Sequence, residues 1–355
     1  MTRLRAGVIG AGSWAMSAHL PALAARKEVE LVAVCRQGRD TLEQIRRQFA
    51  VPFVSENYRD LLDQELDIVV VSSPTALHHE HASAALLSGA HVLCEKPMSA
   101  ISKEAWELVD VATKQGRELL MSFGWNYMPM VRSAVALMGR YGIGEIEHIT
   151  VHMSSQTREL LSNTGAYPDA APGTLPEQST WTNPSISGGG YGQAQLSHAL
   201  GLLLALFPLR VSHVDALMTS PLSAPVELHD AMTVGFDGGA IGVLSGGSSH
   251  MGAWGNKHEL EIRAIGSEGQ FIIDVHRELV WLYRPDGVDV RLDLKSGDGA
   301  YQASGPVHAL VDAALGRPGS NVAPGSLGAR TVEVLELAYA SAESGVRKYR
   351  ETEVS

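Results

Sequence analysis

Cysteine is nearly absent: among 355 residues only Cys35 and Cys94 carry a thiol. Two such residues, each closing an apolar run, make neither a disulfide framework nor a metal pattern. Basic charge is also short, with 28 Lys and Arg against 39 Asp and Glu and a formal net charge of -11. No basic stripe exists to neutralise phosphates, so nucleic acid and anionic membrane are excluded as main partners. Long apolar runs are missing too. "ALGLLLALF" (Ala199 to Phe207) is too short to span a bilayer. The start of the chain superficially resembles a signal peptide, but Gly10 and Gly12 break its apolar run, and it reads better as strand, turn and helix. There is no internal repeat and no low-complexity tail. These absences leave a cytoplasmic protein that binds small molecules, and its length predicts two domains.

What is present is a strong alternation. Apolar strands in "RAGVIG", "VELVAVC", "DIVVVSS", "AHVLCE" and "ELLMSFGW" are separated by helical patterns such as "DTLEQIRRQFA" and "SKEAWELVDVATKQG". Near-continuously apolar strands between helices predict a doubly wound parallel sheet covered on both faces. This α/β part is expected over residues 1–123 as a dinucleotide-binding unit. The rest, 124–355, is expected as an α+β substrate-binding and oligomerisation domain on a large, mainly antiparallel open sheet, with hairpin turns at "FDGG" and "GSEG". Between its strands lie a Pro/Gly/Ser-rich loop from about Thr157 to Gly190 and a helix from about Gly192 to Phe207. The C-terminal helix is expected to pack back on the first unit.

"GVIGAGSWA" places Gly10, Gly12 and Ala15 between the first strand and the first helix, with Ser13 and Trp14 inside the turn. This is the G-x-G-x-x-G/A fingerprint: the first glycine permits the turn, the second admits a pyrophosphate, and the small third residue packs helix on strand. The helix N-terminus supplies N–H groups for the phosphates. After the second strand, an acid that would hold a ribose 2′-hydroxyl is missing. Arg36 stands there, with Arg39 nearby, and a guanidinium fork suits a 2′-phosphate. NADP is therefore expected, with NAD as the alternative.

"VLCEKPMS" ends an apolar strand on Glu95, Lys96 and Pro97. A lysine at a strand tip in a parallel sheet lies on the ligand-binding edge, as do Ser73, Pro74 and the segment Phe123 to Asn126. His78, His79 and His81 lack the spacing of a zinc site, so no metal is expected.

The order "GVIGAGSWA", "SSPTALHHEH", "GAHVLCEKPMS", "SGGGYGQAQLSH" resembles the Gfo/Idh/MocA family of glucose–fructose oxidoreductase and inositol dehydrogenase, over essentially the whole chain. The resemblance implies an NAD(P)-dependent oxidoreductase for sugars, cyclitols and related polyols, a homodimer or homotetramer joined through the second-domain sheet. It implies that Lys96 contacts substrate and nicotinamide, that Pro74 and His78 line the cofactor, and that Asn126 approaches the nicotinamide and substrate. In the family, three glycines are followed by an aspartate and, four residues later, a histidine. Gly188 to Gly190 and His198 fit, but Ala194 holds the aspartate position, with Gln193 and Gln195 beside it. Lys96 and His198 are the catalytic candidates, and which of them is the main acid/base stays open. Trp125, Trp181, Tyr191 and Gln195 are further substrate candidates, aromatic faces suiting the apolar faces of sugar rings. Some relatives with the same elements are redox-neutral glycosidases with tightly bound NAD, which is the alternative activity.

Overall fold

The computed structural model describes residues 3–165, 177–250 and 258–351. Six strands form the first sheet: β1 (Leu4–Ile9), β2 (Val29–Cys35), β3 (Phe53–Ser55), β4 (Ile68–Val71), β5 (His91–Cys94) and β6 (Leu119–Met121). Their order is β3-β2-β1-β4-β5-β6, all parallel. That is the doubly wound arrangement, with its switch point between β1 and β4. The apolar composition of β4, buried at all four positions, follows from helices covering both faces.

One of those coverings comes from far along the chain. The helix Gly305–Ala314 sets Val307, Leu310 and Val311 into the same core as Val8, Val70 and Leu93. The long helix Gly325–Ser344 lies against the helix Ser102–Gln115, and Gly328 lets it approach Met121 and Met98.

The second sheet has nine strands: β7 (Ile146–Ser155), β8 (Val211–Thr219), β9 (His229–Phe236), β10 (Ile241–Ser248), β11 (Glu259–Gly266), β12 (Gly269–Asp274), β13 (Leu279–Tyr283), β14 (Asp289–Arg291) and β15 (Lys348–Tyr349). The order is β14-β13-β12-β11-β7-β10-β9-β8-β15, antiparallel except for the β7–β10 pair. Alternation is clean. Ile149, Val151 and Met153 of β7 are buried while Thr150 and His152 face outward. The inner face is covered by the helical stretch Gly192–Leu196 and Ser197–Leu206, whose nearly all-apolar second half is buried all round.

The segment read as an irregular loop after Thr157 contains short helices at Arg158–Leu161, Ser179–Thr182 and Pro184–Ser187. Residues 166–176 of it lie outside the described residues. β3 and β15 are too short to leave a periodic signal and were not expected.

Candidate active site

A cleft of about 1110 Å³ runs along the C-terminal ends of β1, β2, β4 and β5 and ends under the second sheet's inner helix. Every residue expected to hold the cofactor lines it except Asn126, and every expected substrate residue except Asn126 and Tyr191.

At one end is the glycine turn. Gly10 has φ +85°, and a Cβ there would stand 2.2 Å from the Ser73 backbone nitrogen, so only glycine fits between β1 and the exit of β4. A Cβ at Gly12 would meet only the Gly10 carbonyl, at 4.0 Å. Space is open where a pyrophosphate would approach, at the start of the helical turn Ala15–His19. The residues present thus fit a dinucleotide. Arg36 folds over this turn, donating from Nη1 to the Ala11 carbonyl and from Nε to the Gln37 carbonyl. Glu56, not foreseen from the sequence, takes the Gly38 N–H at 2.8 Å and pairs with Arg39 at 3.5 Å, placing a carboxylate at this end of the cleft.

In the middle, Glu95 organises three elements. Its Oε1 accepts from Trp14 Nε1 at 2.9 Å and lies 2.8 Å from His19 Nε2, while its Oε2 accepts from the Lys96 N–H. Burial alone would push this carboxyl up; the His19 contact and the Lys96 charge outweigh it and bring it down to about 2. Glu95 is therefore an ionised anchor for the glycine turn. His78 is buried with its ring nitrogens 2.7 Å from the Pro97 and Ser73 carbonyls, tying the exits of β4 and β5 together. His81 meets the hydroxyl of the same Ser73, and His79 pairs with Glu107.

Lys96 leaves β5 through a cis peptide to Pro97. Its Nζ donates to the Ala194 carbonyl at 2.6 Å. The position that lacks the expected carboxylate thus still holds the lysine, through its main chain. Burial lowers the Lys96 pKa, with Glu95 opposing. His198 is buried, with no hydrogen-bond partner at Nδ1 among the described residues, and burial and the Lys96 charge hold its pKa well below the ordinary histidine value. The imidazole is neutral near pH 7.

Two expectations are corrected. Tyr191 is fully buried behind the cleft, its hydroxyl on the Met153 carbonyl and Ser155, where it supports β7. Asn126 is 2% exposed, does not line the cleft, and donates from Nδ2 to the Gly201 carbonyl, pinning β6's exit to the inner helix.

One aromatic was missed. Tyr301, from the loop before the helix Gly305–Ala314, lies edge-on to Trp125 at 5.1 Å and to His198 at 6.0 Å, and 6.3 Å from Trp14. It rests on Gly124, where a Cβ would come within 2.4 Å of its ring. Together with Trp125 and Trp181, the latter's ring 5.9 Å from Lys96 Nζ, it walls the lysine's end of the cleft.

Comparison with known proteins bears on the fold and the family. A D-glucoside 3-dehydrogenase of Escherichia coli is 30% identical over 188 residues, 53% of this chain and 49% of that protein. A dTDP-3,4-didehydro-2,6-dideoxy-alpha-D-glucose 3-reductase of Streptomyces violaceoruber is 26% identical over 323 residues, 87% of this chain and 85% of its own. The chain spans about half the length of the first curated relatives it matches. An inositol dehydrogenase homolog from Azotobacter vinelandii, solved with NAD+, has the same fold, with a TM-score of 0.78 at 20% identity over 98% of both chains. The model for an oxidoreductase family with an NAD-binding Rossmann fold matches residues 4–123, and the model for the GFO/IDH/MocA C-terminal domain matches residues 131–272. Glycine turn, strand-tip lysine and two-sheet architecture therefore have one common source: the chain belongs to the GFO/IDH/MocA family of oxidoreductases.

Proposed function

We propose that this chain is a dehydrogenase acting at a secondary hydroxyl or ketone of a sugar, cyclitol or glycoside. The observation that carries it is Lys96 Nζ at the junction of the two ends of the cleft, with neutral His198 and the aromatic wall beside it. When bound, the nicotinamide would accept or return the hydride. Burial lowers the Lys96 pKa, which eases loss of its proton, and the amine so freed would take the hydroxyl proton. Once protonated, it offers charge to the developing oxyanion. His198, neutral and without a partner at Nδ1 among the described residues, would orient the same hydroxyl by hydrogen bonding. Trp125, Trp181 and Tyr301 offer faces for the apolar side of a ring, and Gln195 a polar contact. The relatives named above are a dehydrogenase and a reductase, which favours net oxidoreduction over redox-neutral hydrolysis.

For the dinucleotide we propose NADP, carried by Arg36. The Glu56 carboxylate favours the second reading, NAD, because it would repel a 2′-phosphate and accept from ribose hydroxyls. A charge-assisted contact predicts about 10-fold to 100-fold preference for NADP. Among the described residues no helix is long and apolar enough to cross a membrane. Cys35 and Cys94 are buried thiols, in keeping with a cytoplasmic setting. The outer face of the second sheet exposes Leu217 at 75%, Ile241 at 58% and Val243 at 46%, enough apolar surface to support a homodimer or homotetramer through it.

The test is a panel of aldoses, cyclitols and glycosides with NAD and NADP, following formation of reduced nicotinamide. Sugar released from a glycoside without lasting reduction would overturn the dehydrogenase reading. Dissociation constants for both cofactors, in wild type and Arg36→Asp, decide the second point. NAD binding as tight as NADP in wild type sinks the preference.

A further inference from the structure

The inner helix that carries Ala194 and His198 begins in an unusual way. The first N–H groups of a helix have no partner within it. Here Gly190 N donates to the Glu227 carboxylate at 2.8 and 2.9 Å, and Gly192 N donates to the same carboxylate at 3.1 Å. Between them, Tyr191 N donates to the Glu227 main-chain carbonyl at 3.0 Å. Gln193 N donates to the Tyr339 hydroxyl at 3.2 Å, and that hydroxyl donates to Glu227 Oε1 at 2.5 Å. Four consecutive amides are thus gripped by one glutamate and its tyrosine.

The glycines make the grip possible. A Cβ at Gly190 would stand 2.2 Å from the Glu227 carbonyl oxygen. At Gly189 and Gly192 it would stand 2.3 and 2.8 Å from the Tyr339 hydroxyl. From the gripped turn the contacts run directly to the lysine. Ala194 N donates to the Gly190 carbonyl at 2.9 Å, and the Ala194 carbonyl accepts from Lys96 Nζ at 2.6 Å.

We propose that Glu227, with Tyr339 as its second arm, is a positioning residue for the reaction: it fixes the helix start so that the Ala194 carbonyl and His198 meet Lys96 in working geometry. The charge the cleft lacks at Ala194 is carried behind the helix instead. Asp230 stands beside this carboxylate, buried and without a hydrogen-bond partner among the described residues. Burial and Glu227 hold its pKa well above the ordinary aspartate value, and burial raises Glu227 as well, so the pair carries one negative charge more readily than two.

The proposal rests on the dehydrogenase reading, and the test separates the two. Glu227→Gln, Glu227→Ala and Tyr339→Phe are compared with wild type by amide hydrogen exchange and by steady-state kinetics. In both Glu227 variants, exchange is expected to rise within residues 188–198 and not across the first sheet. Their kcat should fall by about 10- to 100-fold, since small misplacements are costly, with the dinucleotide dissociation constant within about two-fold. Tyr339→Phe should give the same pattern more weakly, centred on Gln193. Unchanged exchange and kcat in a folded Glu227→Gln overturn the proposal. So does a rise in exchange spread over both sheets with kcat, KM and cofactor affinity moving together. If Glu227→Ala does not fold, Tyr339→Phe decides, and silence there in both readouts overturns it. A wild type with no turnover on any sugar would sink the dehydrogenase reading, and the exchange pattern alone would then decide whether Glu227 anchors the helix.

Discussion

The two ends of the cleft are made differently. At the dinucleotide end, a single local motif does most of the work: Gly10, Gly12 and the helical turn after them are consecutive, and Gly10 must be glycine because the Ser73 backbone leaves no room. At the substrate end, Trp125, Trp181, Ala194, His198 and Tyr301 come from separated segments and meet only through tertiary packing. The first end is constrained by backbone sterics at Gly10. The second is held by side-chain contacts that a variant can loosen one at a time.

The largest effect should come from breaking the first end. In Gly10→Ala the side chain meets backbone and a left-handed φ, a strain of about 3 kcal/mol at this kind of site. Calorimetric titration should show dinucleotide binding weakened by about 100-fold or more. Binding within a few-fold of wild type would mean the turn relaxes easily and the contrast is false. At the junction, Lys96→Met keeps the stem and removes the proton carrier. Its kcat should fall on the order of 10²-fold or more, with cofactor affinity changed little; a folded variant turning over normally would remove Lys96 from the chemistry. At the substrate end, Tyr301→Ala takes away several ring contacts. KM for the sugar should rise by about 10-fold, with dinucleotide affinity preserved, and an unchanged KM would take Tyr301 out of the substrate wall.

The smallest effect concerns pH. The His198 pKa is lowered in the fold, so the unfolded chain binds more protons as pH falls through the ordinary histidine range, near pH 6.5. Its contribution to stability is therefore intact above that range and declines below it. Urea unfolding from about pH 7.5 to 5 should show the decline, and His198→Asn should make it shallower. His78, buried and lowered in the same direction, leaves part of the slope in place. A slope unchanged by the substitution would show that His198 is not neutral in the fold.

How much was legible follows the same division. The glycine turn, the strand pattern and Lys96 could be read because each is a short stretch whose chemistry depends on its immediate neighbours. Tyr301 could not, since its partners Gly124, Trp125 and His198 lie more than a hundred residues away and nothing around "DGAYQAS" marks it. Glu56 and Glu227 escaped for a similar reason: each acts on backbone N–H groups of a distant turn, and an isolated glutamate in a sequence is usually a solvated charge. Tyr191 and Asn126 were misplaced by one feature of helices, namely that adjacent residues point in different directions. Asn126 sits next to cleft-lining Trp125, and Tyr191 lies two residues from cleft-lining Gly189 and Gln193; neither lines the cleft itself.

The helix Gly305–Ala314 has a consequence for the life history of the chain. It covers a face of the nucleotide-binding sheet, yet it is synthesised after the whole second sheet except β15. A growing chain that has completed β6 still lacks the covering over β4 and β5 near Val70 and Leu93, and that surface stays open until most of the molecule has left the ribosome. The cofactor-binding half is the first to be made and among the last to be finished. A fragment ending near residue 123 would present to water an apolar face that the later helix covers.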